Sequence, residues 1–209
     1  MSPPKRASIS GWGGEGYREA MSQRYARGET PWDTGVPSAE LIRAIDEGEL
    51  PGKTVLELGC GTGTNSVELA RRGYAVTAVD LIEDPIRRAR TRAKRAGVKV
   101  DFRVGDLTQI DLGGPYALLF DSGLYHGIRN RDLAGLLVAL SRASRPGTRW
   151  LCLAGNANEP HPTGPPAVRE EEFRSELEPM FRVLRVRPFR FDLGRDLQPL
   201  AWSILMERR

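Results

Sequence analysis

The sequence contains few cysteines and no long apolar run, and both features restrict the cellular compartments that suit the protein. Its 209 residues include two cysteines, Cys60 and Cys152, too few for a disulfide framework and wrongly spaced for a zinc knuckle. No apolar run approaches the roughly 18 residues that cross a bilayer, and residues 1–16 lack the apolar core of a secretory signal. We therefore expect a cytoplasmic protein whose thiols stay reduced.

The sequence also has little excess of charge, with 31 Lys and Arg against 27 Asp and Glu. The net charge of +4 comes largely from residues 87–103, a predicted helix and its exit. A basic stripe can bind nucleic acid, yet no aromatic residue on which a base could stack is interleaved with the helical part. We therefore expect the solvated face of a helix, and neither a nucleic-acid nor a membrane partner.

The most informative segment is an apolar run that ends in three alternating glycines, Gly59, Gly61 and Gly63. A helical pattern follows, and then a second apolar run that ends in Asp80. Glycine lets the backbone approach a ligand because it has no Cβ, and a helix start offers free N–H groups. An acid at the end of the neighbouring strand can accept both hydroxyls of a ribose. This strand–turn–helix–strand segment predicts a cofactor that contains a nucleoside.

Two classes of cofactor compete for this loop. The nicotinamide and flavin fingerprint G-x-G-x-x-G needs its third glycine where this chain has Thr64, which disfavours an NAD-type oxidoreductase. The pattern G-x-G-x-G preceded by Glu57 instead resembles motif I of the class I S-adenosylmethionine-dependent methyltransferases. That cofactor has no phosphate to place on a helix N-terminus. The glycines would therefore serve mainly to leave room for its adenosyl and methionine parts. The resemblance implies S-adenosyl-L-methionine as cofactor and S-adenosyl-L-homocysteine as product.

The ends of the third and fourth predicted strands, at Asp106 and Asp121, also resemble motifs of this family, and they occur in the expected order. The resemblance implies that Asp106 accepts a hydrogen bond from the adenine amino group, while Leu107 offers its N–H to the ring. Asp121 and Ser122 resemble motif IV, which borders the methionine end of the cofactor and the substrate. The residues that the resemblance assigns to the cofactor are Trp32, Glu57, Gly59, Gly61, Thr62, Gly63, Asp80, Leu81, Asp106, Leu107, Asp121 and Ser122.

The segment before the first predicted strand indicates which group of methyltransferases within this family the sequence resembles most. Residues 29–41 read ETPWDTGVPSAEL, which is similar to a segment of small methyltransferases related to thiopurine S-methyltransferase and to bacterial enzymes that methylate heterocycles, thiols or tellurium and selenium oxyanions. In that group an N-terminal segment covers the cofactor, and Trp32 is the matching aromatic position. We expect an arm and lid helix over residues 1–36 and a single catalytic domain over residues 37–209.

Apolar runs alternate with helical patterns along the rest of the chain. Helices are predicted at 15–26 and 37–48 and around Leu133–Leu140, a fourth strand at 116–120 and a fifth at 148–155. Such alternation predicts an α/β fold with a mostly parallel sheet covered on both faces. With the family resemblance it implies a Rossmann-like, doubly wound, seven-stranded sheet whose last strand is antiparallel.

Candidate catalytic residues follow the fourth strand, because ligands of such sheets bind at the carboxyl ends of the strands. Asp121, Tyr125 and His126 are the first choice, and His161 in a proline-rich loop is a weaker one. Histidine is the usual base where an alcohol or phenol is methylated. No metal is expected, since clustered carboxylates are missing and Asn156 and Asn158 stand at the partner positions.

The predicted reaction is methyl transfer from S-adenosylmethionine to a small molecule, through a thiol, a heterocycle or another soft heteroatom. A thiolate barely needs a base, because thiols ionise near pH 8.5. The alternatives are an O-methyltransferase that uses His126 as base, a nucleic-acid methyltransferase and a non-catalytic cofactor-binding module. The place after the fourth strand reads DSGL rather than the [DN]-P-P-[YF] of adenine methylation, which disfavours nucleic acid. We expect a monomer or a homodimer.

Overall fold

A computed structural model of the chain describes residues 16–159, 167–194 and 197–209. Residues 1–15 of the predicted arm and lid segment, and His161, lie outside these described residues. The helices are α1 (Tyr17–Arg27), α2 (Ala39–Asp46), α3 (Thr64–Arg71), α4 (Glu83–Ala96), α5 (Tyr125–Ala143) and α6 (Glu170–Leu177). The strands are β1 (Thr54–Leu58), β2 (Ala75–Asp80), β3 (Asp101–Val104), β4 (Leu118–Ser122), β5 (Arg149–Gly155), β6 (Phe181–Arg190) and β7 (Leu200–Arg208).

Within these ranges the strands form one seven-stranded sheet in the order β3-β2-β1-β4-β5-β7-β6. Neighbours from β3 to β5 pair in parallel, and β7 runs antiparallel to both β5 and β6. The predicted Rossmann-like, doubly wound fold with an antiparallel last strand is therefore confirmed. The strand order reverses between β1 and β4, and such a switch point opens a crevice at the carboxyl ends of the strands.

The sheet is covered on both faces because its strands alternate apolar side chains between two cores. Val55 packs with residues of α2, α3 and α4 on one face. Its neighbours Leu56 and Leu58 pack with residues of α5 and α6 on the other face. Leu118 and Leu119 of β4, which point to opposite faces, are both completely buried. This two-sided burial is typical of parallel sheets.

Helix α1 forms a small third cluster beside these two cores. Met21 and Tyr25 of α1 pack against Ile82, which directly precedes α4. Arg88 of α4 donates a hydrogen bond to the Tyr25 carbonyl at 3.3 Å. These contacts hold α1 next to the carboxyl end of β2. In the part of the chain that the structure describes, no helix is long and apolar enough to cross a membrane.

Three element boundaries differ from the sequence-based expectation: both ends of β4 and the start of α5. The fourth strand begins at Leu118 rather than at Tyr116, whose hydroxyl instead donates to the Leu112 carbonyl at 2.7 Å. Strand β4 therefore includes Asp121 rather than ending before it. Helix α5 begins at Tyr125, earlier than predicted, and has a non-helical backbone at Asp132 inside it.

Candidate active site

The loop between β1 and α3 turns through three glycines with left-handed backbone. Their φ angles are 68° at Gly59, 52° at Gly61 and 74° at Gly63, a region that other residues rarely adopt. A Cβ on Gly63 would lie 2.7 Å from the Cβ of Ala89, so this glycine lets α3 pack closely against α4. A Cβ on Gly61 would lie 3.0 Å from the hydroxyl of Tyr25. The loop thus needs glycine for its conformation and for its close contacts.

Asp80 ends β2 beside this loop, and backbone groups fix its carboxylate. Oδ2 accepts the Gly61 N–H at 2.9 Å, and Oδ1 accepts the Ile82 N–H at 2.9 Å. Burial raises the pKa of Asp80, and the backbone hydrogen bonds oppose that shift. A carboxylate has about four acceptor positions. Asp80 therefore retains the capacity to accept hydrogen bonds from a ligand.

Glu57 lies under the glycine loop as a buried acid. Its carboxylate accepts a hydrogen bond from the Ser66 hydroxyl and another from the side chain of Asn65. Burial raises the pKa of Glu57 to about 8, more than these two hydrogen bonds lower it. A cation placed nearby would favour the charged form and lower this pKa. Glu57 can therefore favour a positively charged ligand group.

Asp106 and Leu107 follow β3 on the far side of Asp80. Asp106 Oδ1 accepts the Thr108 N–H at 3.0 Å and the Thr108 hydroxyl at 2.9 Å, which fixes the orientation of the carboxylate. Leu107 is buried, with 7% of its surface exposed. Both residues line the same cavity as Asp80. The three neighbouring strands β1, β2 and β3 thus end in a continuous row of predicted cofactor residues.

The Trp32 side chain lies beside this region and contacts α1. Its indole N–H donates to the Tyr25 hydroxyl at 3.4 Å, and the two rings meet edge to face with centroids 6.3 Å apart. The Arg24 guanidinium lies 4.7 Å from the centre of the Trp32 ring. Edge-to-face pairs and cation–π contacts each stabilise such an arrangement modestly. Trp32 and Tyr25 form one aromatic wall of the cavity.

The chain just after Trp32 is tied to the glycine loop. The Thr62 hydroxyl donates to the carboxylate of Asp33. Arg92 of α4 donates to the Thr62 carbonyl at 3.1 Å and to the Thr62 hydroxyl at 3.3 Å. Loop, lid segment and α4 therefore form one hydrogen-bonded unit around the predicted cofactor site.

These elements enclose a cavity of about 560 Å³ at the carboxyl ends of the strands. Such a volume is within the usual range for small-molecule sites. Of the residues predicted to hold the cofactor, ten line it: Trp32, Glu57, Gly59, Gly61, Thr62, Asp80, Leu81, Asp106, Leu107 and Ser122. Gly63 lies behind the loop in a packing contact rather than on the cavity wall.

His126 lines the cavity, but its geometry does not fit the predicted role of general base. It lies in the first turn of α5 and is buried, with 3% of its surface exposed. Nδ1 accepts the Gly155 N–H at 2.9 Å, so the neutral ring carries its proton on Nε2. Burial, with a smaller contribution from Arg129, lowers the pKa of His126 to about 4. The ring is thus a weak base whose lone pair is already bonded.

Asp121 and Tyr125 also require a correction, because the structure places them in the core and not on the cavity wall. Asp121 Oδ1 accepts the N–H groups of Leu124 and Tyr125, and Oδ2 accepts the Trp150 indole N–H at 3.0 Å. The Tyr125 hydroxyl donates to Glu176 at 2.7 Å. The predicted catalytic and cofactor roles of Asp121 and Tyr125 do not fit these contacts, which fix the start of α5 instead.

The metal prediction concerned the end of β5. Asn156 is buried there, its Oδ1 accepts the Asn158 N–H at 2.8 Å, and it lies off the cavity wall. Across the described ranges, no three His, Cys, Asp or Glu side chains cluster as metal ligands would. The absence of a metal stays a prediction.

Sequence reasoning missed a group of cavity residues at the other end of the chain. Phe189 at the end of β6, with Phe191, Leu193, Leu197 and Pro199 of the connection between β6 and β7, lines the cavity. They alternate with polar residues from Arg190 to Gln198, and this period of two could have revealed a strand-like face. Their distance along the chain from the glycine loop conceals that they share its cavity.

The fold and the geometry of the site together indicate a class of cofactor-binding protein. A glycine turn after the first strand, a fixed acid after the second and another after the third surround a cavity at the switch point of a Rossmann-like sheet. This arrangement is typical of proteins that bind a nucleoside-containing cofactor.

Comparison with known proteins identifies the family. A family model described as a methyltransferase domain matches residues 55–147. The 2-heptyl-1-hydroxyquinolin-4(1H)-one methyltransferase of Mycobacteroides abscessus is 30% identical over 185 residues, which cover 86% of this chain and 80% of that protein. The chain belongs to the class I S-adenosylmethionine-dependent methyltransferases that act on small molecules, and S-adenosylmethionine is its cofactor.

Solved structures agree with this assignment. A structure described as "Conversion of a Disulfide Bond into a Thioacetal Group during Echinomycin Biosynthesis" superposes with a TM-score of 0.76 at 26% identity, covering 92% of this chain and 93% of that chain. The 1,6-didemethyltoxoflavin-N1-methyltransferase of Burkholderia thailandensis, solved with its substrate and S-adenosylhomocysteine, superposes with a TM-score of 0.73 at 20% identity, covering 92% and 87%. The predicted family, enzyme class and cofactor are confirmed.

Proposed function

We propose that this methyltransferase acts on a heteroatom of a planar heteroaromatic small molecule, and that this heteroatom is acidic enough to ionise without an enzyme base. The class, a small-molecule methyltransferase, follows from the comparisons above. The nature of the accepting atom is the part that we infer from the residues of the cavity.

The chain's own residues would position the cofactor in the following way. Asp80 accepts hydrogen bonds from the ribose hydroxyls, and Asp106 accepts one from the adenine amino group. Glu57 favours the positive charge of the methionine end, because a cation nearby stabilises a carboxylate whose pKa burial has raised. The bound cofactor supplies a methyl group on a sulfonium, which is already a good leaving group. The glycine loop and the Trp32 wall exclude water and align the acceptor.

The observation that carries the proposal is the state of His126. It is the histidine that lines the cavity among the described residues, and its basic nitrogen already accepts the Gly155 N–H. Burial also raises the pKa values of Tyr17 and Tyr25, which line the cavity as well, so their phenolate forms are disfavoured. A cavity of this kind suits an acceptor that loses its proton to water before it enters.

The aromatic walls of the cavity support a flat acceptor. Tyr17, Trp32 and Phe189 line it from three separate elements, and aromatic side chains bind planar rings by stacking and edge contacts. The Mycobacteroides relative acts on a hydroxyquinolone, a flat ring that carries a hydroxyl group and a heptyl chain. The echinomycin structure concerns chemistry at sulfur, so a thiol is the second candidate acceptor.

A methyl-transfer screen with radiolabelled S-adenosylmethionine tests this proposal. The panel contains 2-heptyl-1-hydroxyquinolin-4(1H)-one, thiophenol and benzyl alcohol, whose hydroxyl does not ionise near neutral pH. We expect transfer to the hydroxyquinolone or to the thiol and none above background to the alcohol. Transfer to benzyl alcohol at a comparable kcat/KM would show that the enzyme supplies a base, and would overturn the proposal.

A further inference from the structure

In its described residues, 191–194 and 197–199, the connection between β6 and β7 continues the pairing of the two strands beyond the sheet. The Phe191 N–H donates to the Pro199 carbonyl at 3.1 Å, and the Leu193 N–H donates to the Leu197 carbonyl at 3.1 Å. These are antiparallel ladder hydrogen bonds. The extension therefore has two distinct faces, with alternate residues on each.

One face of this extension is apolar and belongs to the cavity. Phe189, Phe191 and Leu193 share it at a spacing of two residues, and Leu197 and Pro199 lie on the returning side. All five line the cavity and are half-buried. The rings of Phe189 and Phe191 meet edge to face at 4.9 Å. We call these five residues the hairpin face.

The residues between them are polar and exposed. Arg190 is ion-paired with Glu159, and its guanidinium also donates to the Gln198 carbonyl at 2.8 Å. The Gln198 side chain is exposed and does not line the cavity. The extension is thus amphipathic: its apolar residues are half-buried in the cavity, whereas the polar residues are exposed, although Arg190 and Asp192 also contribute to the cavity lining.

Packing within the fold accounts for only part of the hairpin face. Phe189 and Phe191 touch the core beneath α2, α3 and α4, while Leu193, Leu197 and Pro199 are in none of the hydrophobic clusters of the described residues. A contiguous apolar surface that opens into a small-molecule cavity is typical of a ligand site. None of these five side chains offers a hydrogen-bonding group.

We propose that the hairpin face is a subsite for a hydrocarbon substituent of the acceptor, such as an alkyl chain on the ring that is methylated. This inference rests on the proposed function, since it places the ring between the aromatic walls and the chain on the hairpin face. The substrate class is therefore an amphipathic molecule with a polar, ionisable ring and an apolar tail. The tail contributes affinity by leaving water, and no polar contact holds it.

A series of 1-hydroxyquinolin-4(1H)-ones with methyl, pentyl or heptyl at position 2 tests the subsite. Binding to the enzyme saturated with S-adenosylhomocysteine is measured by calorimetry, so that no turnover is needed. We expect affinity to rise about two- to fourfold for each added methylene, as burial of a methylene predicts. Affinity that does not depend on chain length, or no binding of the heptyl compound, would overturn the proposal.

The double variant Leu193→Ser/Leu197→Ser removes two side chains of the hairpin face that pack against no core cluster. We expect it to abolish the dependence on chain length and to leave the methyl compound within about twofold of wild-type affinity. Gln198→Ser, on the outward side of the same extension, is the matched control and should retain the full dependence. S-adenosylhomocysteine affinity should be unchanged in both variants, which shows that they fold. A chain-length dependence that persists in the double variant would contradict the subsite.

The two proposals fail in different ways. If affinity rises with chain length but neither the series nor the thiol is methylated, the subsite stands and the proposed acceptor chemistry fails. If the series is methylated with a kcat/KM that ignores chain length, the acceptor chemistry stands and the subsite fails.

Discussion

At the scale of single residues, Asp80 provides the sharpest test of the cofactor site. Its two oxygens are held by the N–H groups of Gly61 and Ile82 and retain acceptor capacity towards the cavity. Hydrogen bonds to a charged group contribute about 1.5–3 kcal/mol each. Asp80→Ala should therefore weaken S-adenosylmethionine binding by about 10- to 100-fold in calorimetry. Asp101→Ala, which removes an exposed carboxylate from the same sheet, is the control, and equal affinity in both variants would refute the ribose role.

Gly61 tests whether the loop closely approaches its ligand. Its φ of 52° and the hydroxyl of Tyr25 at 3.0 Å both oppose a Cβ at this position. Gly61→Ala should lose most cofactor affinity, because the strained loop must move from the cavity wall. The expected stability loss is about 1 kcal/mol, since left-handed backbone costs a non-glycine residue that much. Urea unfolding and cofactor titration of the same preparation measure both effects, and a variant that binds normally would rule out the close approach.

His126 makes a prediction about stability at acid pH. The folded state holds this imidazole at a pKa of about 4, lowered from 6.5 mainly by burial. Below pH 6.5 the unfolded state binds a proton that the folded state does not, so falling pH destabilises the fold until about pH 4. The full effect is about 3 kcal/mol. Asn is the informative replacement, because its side-chain oxygen can still accept the Gly155 N–H.

The measurement compares wild type with His126→Asn by urea unfolding at pH 7, 6, 5 and 4. Glu57 and Asp121, whose pKa values burial raises to about 8 and 6, titrate in both proteins. Their folded forms bind more protons than the unfolded chain, so their contribution to stability falls as pH rises. The difference between the two proteins isolates His126, and it should favour the variant increasingly towards pH 4. A difference that stays constant with pH would contradict the buried, neutral imidazole.

At the scale of elements, α1 lies beside the cavity and packs in a cluster smaller than either core of the sheet. Its contacts with the rest of the protein include a small cluster with Ile82, a hydrogen bond from Arg88, the Tyr25–Trp32 contact beside the cavity and the Arg131 guanidinium 4.4 Å from the Tyr17 ring. Few buried contacts mean low local stability, and closing a lid over a ligand adds contacts. Hydrogen exchange of residues 17–36 should slow when S-adenosylhomocysteine binds. Unchanged exchange in residues 17–36, together with slower exchange at the glycine loop, would show that α1 does not close over the ligand.

Element identity was predictable from the sequence, whereas some element boundaries were not. The glycines after β1 and the acid after β2 carry their conformational meaning locally, so the order of strands and helices follows from pattern alone. An aspartate followed by proline, as at Asp84 and Pro85, is typical of an N-cap and first helical residue, but α4 begins at Glu83. Asp84 instead forms ion pairs with Arg87 and Arg88.

At the scale of the whole molecule, most residues that the sequence assigned to the cofactor line the cavity, whereas the hairpin face could not be located from the sequence. The residues predicted for the cofactor follow strand ends at fixed spacing, so short motifs locate them. The hairpin face reaches the cavity only because β7 inserts between β5 and β6. Asp121 and Tyr125 were misplaced because a strand end does not show whether its side chain turns to the cavity or to the core, and Trp150 and Glu176, which decide this, are distant in sequence.

The most direct test of the central claim is the pH dependence of methyl transfer. The claim is that this enzyme binds S-adenosylmethionine and methylates an acceptor that ionises unaided. Two acceptors of similar shape whose own pKa values differ by about two units, such as thiophenols with different ring substituents, are compared as kcat/KM against pH. We expect kcat/KM to rise with pH as each acceptor ionises. The pH at the midpoint of this rise should differ by about two units between the two acceptors, in wild type and in His126→Asn alike. A limb that stays at one pH for both acceptors, and disappears in His126→Asn, would show that the enzyme supplies the base and would contradict the claim.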